Sequence, residues 1–436
     1  MQAYPAQTSP AAHEAAHHAC RDDIILFAIL LTLCTVCGIL NYKLLRLPMT
    51  IGILLIAMIG SLVVKGLDLA LPDVDLHTLP MTLLASADLP GNLLDGALSF
   101  LLFAGALQVD TRHLMDRKFS VFFLAIVGTI LAVFMLGSAM YWVMAQVGLP
   151  VPFLWCVVLG AILAPTDPVS VVGMLRRLGL PGPIQAIFAG ESLFNDGVSI
   201  VIFGMAMTLV TGEAQHLTLL DALEAFGMEA VGGAALGFVA GLVALLCFRA
   251  ARDSHLQLLV SLSLAAGTFS LAHALGMSGP IAVVVAGLCL GSERAKISMD
   301  DHAREELNSF WTLVDEILNA LLFLLIGFEV LAAIPSLRAF WALLLGIPLS
   351  IAARALSVFL AILPIHLYGE DRGRMLAVLT WGGLRGGISL SLALTLPAGP
   401  MKDILAPICY GIVVFTILVQ GLSMERVALH FYPKSK

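Results

Sequence analysis

Apolar runs long enough to cross a hydrocarbon layer follow one another along almost the whole chain, separated by short, charge-bearing connections. About 20 residues at 1.5 Å each suffice for such a crossing. With turn residues and charges as punctuation, the pattern predicts about thirteen spans. They lie near residues 24–42, 48–64, 92–110, 120–145, 151–175, 184–210, 219–249, 255–275, 279–292, 307–333, 338–367, 373–397 and 403–422. The ninth is short, and the seventh and eleventh are long enough to tilt. Strand alternation is absent, and the runs are too long for an outer-membrane barrel. The predicted fold class is therefore an all-α polytopic membrane protein.

Composition agrees: 12% of the 436 residues are charged and 59% are hydrophobic, a balance that excludes a water-soluble fold of this length. The net charge of −7 says little about partners, because the sign of each loop matters more than the sum. Most of the seven cysteines lie within apolar runs and read as small buried hydrophobes. Cys34-Thr35-Val36-Cys37 matches CxxC without the context of a redox or zinc site. Residues 1–22 are polar and rich in Ala and His, and are expected to form a flexible tail. His13-Glu14-Ala15-Ala16-His17 spells the zincin HExxH pattern there, but a short tail offers neither a third ligand nor a substrate cleft. Asp22 and Asp23 flank the first apolar run where a signal peptide would be basic, so that run reads as a retained helix. No nucleotide motif and no appended soluble domain are expected. Nothing points to an enzyme, a catalytic residue, a cofactor, or a nucleic-acid or nucleotide partner.

Lysine and arginine set the expected orientation. With the N-terminus outside, seventeen of the 23 fall on inner loops and the tail and four on the outer side, which predicts an inner C-terminus. The fifth span is interrupted at Pro165 to Pro168 and the twelfth at Gly382-Gly383-Leu384-Arg385-Gly386-Gly387. An offset of seven spans implies opposite directions, the pattern of two inverted repeats whose broken helices mark a binding region. The expected organisation is a tail (1–22), a first six-helix repeat (23–210), a linking helix (211–250), an inverted second repeat (251–422) and an inner tail (423–436).

Carboxylates inside these spans cost roughly 2.5–3.5 kcal/mol each on insertion scales, so each needs a reason. In Gly190-Glu191-Ser192-Leu193-Phe194-Asn195-Asp196-Gly197, helical spacing puts Glu191 with Asn195 and Ser192 with Asp196 on adjacent stripes of one helix face. Ala164-Pro165-Thr166-Asp167-Pro168 adds a carboxylate and two prolines, which remove helix donors and free backbone carbonyls at similar depth. Carboxylate, hydroxyl and carbonyl oxygens are hard ligands suited to a hard cation: sodium or lithium, with potassium in a looser cage. Asp315 and Glu316 fall toward the inner end of the tenth span, where an entry funnel or a solvated helix end accounts for them.

These segments, with Ala353-Arg354-Ala355 and Gly383-Leu384-Arg385-Gly386-Gly387, resemble the monovalent cation/proton antiporters. The Asn195-Asp196 pair is similar to the electroneutral sodium/proton antiporter and exchanger branch, and the likeness covers nearly all of residues 24–422. The resemblance implies a homodimer in which a six-helix core moves, elevator-like, against a dimerisation domain. It implies that Asp196 binds the ion or proton, that Ser192 and the Thr166 carbonyl are ligands, and that Asp167 is a direct or water-mediated one. Asn195 and a Glu191–Arg354 pair would hold the core helices. The chain departs from the pattern at Ala104, in Phe103-Ala104-Gly105-Ala106-Leu107, where some relatives carry a Glu.

Charge balance leads to the same mechanism. Asp167, Glu191, Asp196, Arg354 and Arg385 fall near mid-membrane, and two arginines neutralise only two acids. With Glu191 assigned to Arg354, as the resemblance implies, and Asp167 placed near Arg385, Asp196 is left for one cation or one proton. The expectation is one-for-one, electroneutral exchange of sodium or lithium for protons across a cell inner membrane. Potassium/proton exchange by the same fold and a passive cation channel are the alternatives.

Overall fold

The computed structural model describes residues 10–70, 94–212, 219–250, 253–329, 336–365 and 371–433, which are helical throughout apart from short connections. Helix α1 (Pro10–Leu40) starts inside the stretch expected to be a tail, where Ala11, Ala12, Ala15 and Ala16 supply high helix propensity. A π turn, Asn41–Leu45, leads to α2 (Met49–Ala70). Helices α3 (Leu94–Leu107), α4 (Thr111–Asp116) and α5 (Lys118–Gln146) follow, α5 with a π segment at Phe123–Gly128. Next come α6 (Phe153–Ile162), α7 (Pro168–Arg177), α8 (Gly182–Thr211) and α9 (Leu219–Ala250). Beyond them lie α10 (Ser254–Ala274), α11 (Gly279–Leu290), the short α12 (Glu293–Ile297) and α13 (Asp301–Glu329). The chain closes with α14 (Leu337–Ile362), α15 (Arg372–Trp381), α16 (Gly387–Leu394) and α17 (Pro400–Phe431), the last with a π segment at Thr416–Gly421.

Among the described residues nine helices are long and apolar enough to cross a membrane. The remaining expected spans coincide with short or broken helices: α3, α6 with α7, α11, and α15 with α16. Starts are set by side-chain caps. Asp110, Asp253, Ser278, Ser336 and Asp371 each accept from a backbone N–H of the first turn, meeting donors the helix cannot satisfy itself.

The chain divides into two compact units, Met1–Leu93 with Ala320–Leu331, and Leu94–Asn319 with Ala332–Lys436. In the first, Ser61 donates to the Gly327 carbonyl at 3.0 Å. Gly327 also lies so close to α2 that a Cβ there would come within 2.4 Å of the Ala57 methyl.

The second unit is knitted by glycine, because helices in lipid gain little from apolar burial and pack instead by close approach. Gly233, Gly237 and Gly241 form a small-residue stripe on α9 facing α11. A Cβ on Gly237 would meet the Ala282 carbonyl oxygen at 2.1 Å, and one on Gly233 the Ser278 oxygen at 2.6 Å. Gly160 of α6 makes the same approach to the Val133 carbonyl of α5. These seams hold α6 and α11 while their neighbours carry the polar site. Gly237→Leu is expected to lower stability by about 1–3 kcal/mol through overpacking, read as an earlier thermal unfolding midpoint in detergent. An unchanged midpoint would show that the α9–α11 approach is not tight.

Candidate cation site

Two interruptions build the site. Helix α6 ends at Ile162 and α7 begins at Pro168, and α15 ends at Trp381 with α16 beginning at Gly387. The unwound segments touch: the Asp167 N–H donates to the Leu384 carbonyl at 2.8 Å. Gly386 permits this approach, since a Cβ there would lie 2.9 Å from the Asp167 Cβ. Irregular backbone at this depth is tolerated because other protein groups satisfy it. Arg385 supplies part of that: its guanidinium donates to the Ala164 carbonyl at 2.7 Å and the Pro165 carbonyl at 3.4 Å. A cation is favoured there by the negative end of the α6 dipole. The Arg385 N–H meets the Thr416 hydroxyl at 3.2 Å. Arg385 thus holds the break closed, with its charge spent on carbonyls.

Helix α8 passes beside the first break and presents its polar stripe to it. Glu191, Ser192 and Asn195 are fully buried and Asp196 is 1% exposed. Thr166 is the hub. Its N–H reaches Asp196 Oδ1 at 3.2 Å and Asn195 Oδ1 at 3.3 Å, and its hydroxyl shares a hydrogen bond with Ser192 at 2.7 Å. Ser192 also donates to the Thr166 carbonyl, and Asn195 Nδ2 donates to the Thr166 hydroxyl at 3.0 Å. The second Asn195 Nδ2 bond goes to Glu191 at 3.0 Å. Arg354 of α14 then grips Glu191 with two 2.8 Å bonds, one to each oxygen. Such bidentate pairs are strong and directional. The pair anchors α14 to α8, and its charges cancel.

Asp196 has no such partner. Its Oδ1 takes the Thr166 N–H, and its Oδ2 is buried with no hydrogen-bond partner among the described residues. A buried carboxylate oxygen left open is costly, so it is poised to accept a cation or a proton. Among the described residues no group of three or more His, Cys, Asp or Glu side chains is arranged to hold a metal ion. The donor set is one open carboxylate with hydroxyl and carbonyl oxygens, chemistry that fits a hard monovalent ion.

The structure brings together Thr166, Glu191, Ser192, Asn195, Asp196 and Arg354 in one network. Asp167, half-buried, and Arg385 join it through the crossed backbone. Sequence reasoning missed Thr416, one hydroxyl in an apolar run, and left Asp315 with Glu316 to an entry funnel or a solvated helix end. Asp315 is 2% exposed, midway along α13.

The sequence matches the family described as sodium/hydrogen exchanger, transmembrane, over residues 29–430. It is 37% identical over 414 residues to the Na(+)/H(+) antiporter NhaP of Pseudomonas aeruginosa, covering 93% of this chain and 96% of that protein. The Na(+)/H(+) antiporter NhaH of Halobacillus dabanensis is 31% identical, with 92% and 96% covered. The fold is similar to that of the sodium proton antiporter MjNhaP1 from Methanocaldococcus jannaschii at pH 8. The TM-score is 0.70 at 18% identity, over 95% of this chain and all of that one.

Arg354→Ala would strand the Glu191 charge in the core, and breaking a buried pair by removing one member costs about 3–5 kcal/mol. The expected outcome is a large drop in thermal stability, with the sodium KM of any surviving transport near the unsubstituted value. A shifted KM with unchanged stability would make Glu191 an ion ligand and overturn the scaffold reading of the pair.

Proposed function

The chain belongs to the sodium/hydrogen exchanger family, and we propose that the exchange of sodium for protons it carries out is one for one, by competition at Asp196. It is a multi-pass membrane transporter, not an enzyme. The observation carrying the proposal is the open oxygen Asp196 Oδ2, in a network where Glu191, Arg354 and Arg385 are already engaged.

One carboxylate can be neutralised by one cation or one proton, and carrying both would reverse its charge. If the site opens to the two sides alternately, each sodium moved one way is matched by a proton moved the other, with no net charge crossing. Ser192 and the Thr166 carbonyl are the proposed neutral ligands beside Asp196, with Asp167 direct or through water. Their hydrogen bonds to one another in this structure place the oxygens side by side. Lithium, small and hard, fits the same oxygens. The crossed breaks at 163–167 and 382–386 support two inverted repeats. Elevator-like movement of a six-helix core against a dimerisation domain in a homodimer completes the proposal, with the N-terminus outside and the C-terminus inside a cell inner membrane, as the Lys and Arg distribution favours.

The test is reconstitution in liposomes holding a pH-sensitive dye. Added external sodium is expected to alkalinise an acid lumen, at a rate unmoved by a potassium/valinomycin clamp. Asp196→Asn should abolish this response in a protein that still folds. Retained sodium-dependent proton movement in that variant would remove Asp196 from its role, and a steep dependence of rate on clamped voltage would contradict one-for-one exchange.

A further inference from the structure

Ser199 lies one turn beyond Asp196 on α8 and takes none of the hydrogen bonds that tie that helix to Thr166. The residue is fully buried, and its Oγ has no hydrogen-bond partner among the described residues. Serines inside helices commonly turn the hydroxyl back on their own backbone. Ser99, Ser261, Ser350 and Ser357, all buried, do so here, each donating to the carbonyl three residues earlier. Ser199 does not. Its oxygen is left open inside the protein.

The rotation of α8 is fixed from two sides. Ser192 meets Thr166 at the first break, and Gly197 backs onto α11, where a Cβ would lie 2.5 Å from Ile281 Cγ1. At 3.6 residues per turn, Ser199 returns to within about 20° of Ser192 around the helix, with Asp196 between them along the axis. It therefore stands on the polar face and not on the α11 side. Positions three apart on a helix hold their Cβ atoms about 5–6 Å from each other. Because helical side chains lean toward the N-terminus, the Ser199 hydroxyl leans toward Asp196. Asp196 Oδ1 takes the Thr166 N–H, while Oδ2 has no partner among the described residues. Two buried oxygens without partners thus occupy neighbouring turns of one helix face. Buried polar atoms are nearly always paired, so two such atoms side by side point to a shared ligand. Carboxylate and hydroxyl oxygens are hard donors, suited to a hard cation. A small residue kept only for close helix packing could as well be Ala or Gly, which leave no hydroxyl to satisfy.

We propose that the Ser199 hydroxyl is a further ligand of the transported cation, meeting it on the side of Asp196 opposite Ser192. The proposal rests on the reading of Asp196 as the seat shared by sodium and protons. A proton on Asp196 needs no second oxygen, whereas a cation stripped of water needs several. Ser199 therefore weights the competition toward sodium, and its loss weakens sodium binding while leaving the proton-carrying acid in place.

The experiment pairs two measurements on the full chain: initial rate against sodium concentration in liposomes, and the rise in thermal midpoint that sodium produces in detergent. Ser199→Ala removes the hydroxyl without stranding a partner, so the midpoint without sodium is expected not to fall. The sodium KM is expected to rise about five- to tenfold with kcat within about twofold, and the sodium-dependent rise in midpoint to shrink. Ser199→Cys, close in size but with a soft sulfur, should match the Ala variant, and reads the same quantities if Ala does not fold. A sodium KM within twofold of the unsubstituted protein, or a lowered midpoint without sodium, makes the hydroxyl structural. Either result overturns the ligand and leaves exchange at Asp196 standing. An unsubstituted protein with no sodium-dependent proton movement overturns both.

Discussion

The arrangement depends on one electrostatic constraint: a carboxylate inside a membrane protein must be compensated, and Asp196 is compensated on one oxygen only. Among the described residues, the two arginines nearest in the network are committed elsewhere. Arg354 is committed to Glu191 through both oxygens, and Arg385 to the carbonyls of the broken helix. A positive charge cannot come from these side chains without undoing the scaffold. On the proposed reading, Asp196 takes its countercharge from a mobile species, sodium or a hydron.

The broken helices serve this constraint. A continuous helix at Ala164–Pro168 would keep its N–H and C=O groups for itself. Interrupted, the chain turns the Thr166 N–H, hydroxyl and carbonyl toward α8, and the Asp167 N–H toward the second break. Thr166 thereby couples the backbone of one break to three side chains of α8, so a shift of either is transmitted to the oxygens around Asp196. Gly386 lets the second break come within hydrogen-bonding distance of the first. Gly383 does the same for Arg354, whose Nε lies 3.0 Å from where a Cβ would be.

Much of this was legible in the sequence, and for identifiable reasons. Acids within apolar runs are conspicuous because they are expensive, which singled out Asp167, Glu191 and Asp196. Proline and glycine announce breaks by what they cannot do, and both interruptions fall where they cluster. The i, i+4 spacing on α8 put four polar groups on one face, as observed. What was not legible depended on tertiary packing. From the sequence Asp315 fits an entry funnel or a solvated helix end beside Glu316, and only packing, with Trp311 buried one turn earlier, shows it turned inward. Thr416 is one hydroxyl among apolar neighbours until the Arg385 N–H finds it. The start of α1 at Pro10 arises from alanine propensity that the polarity of the segment concealed.

The central claim is that one buried side chain hosts either ion and never both. Calorimetry of sodium binding to the purified protein, repeated in buffers of different ionisation enthalpy, counts the hydrons displaced as sodium enters. The account predicts close to one hydron released per sodium at a pH where the empty site is protonated, with apparent affinity falling as pH falls. Sodium binding that releases none, with an affinity indifferent to pH, would contradict it.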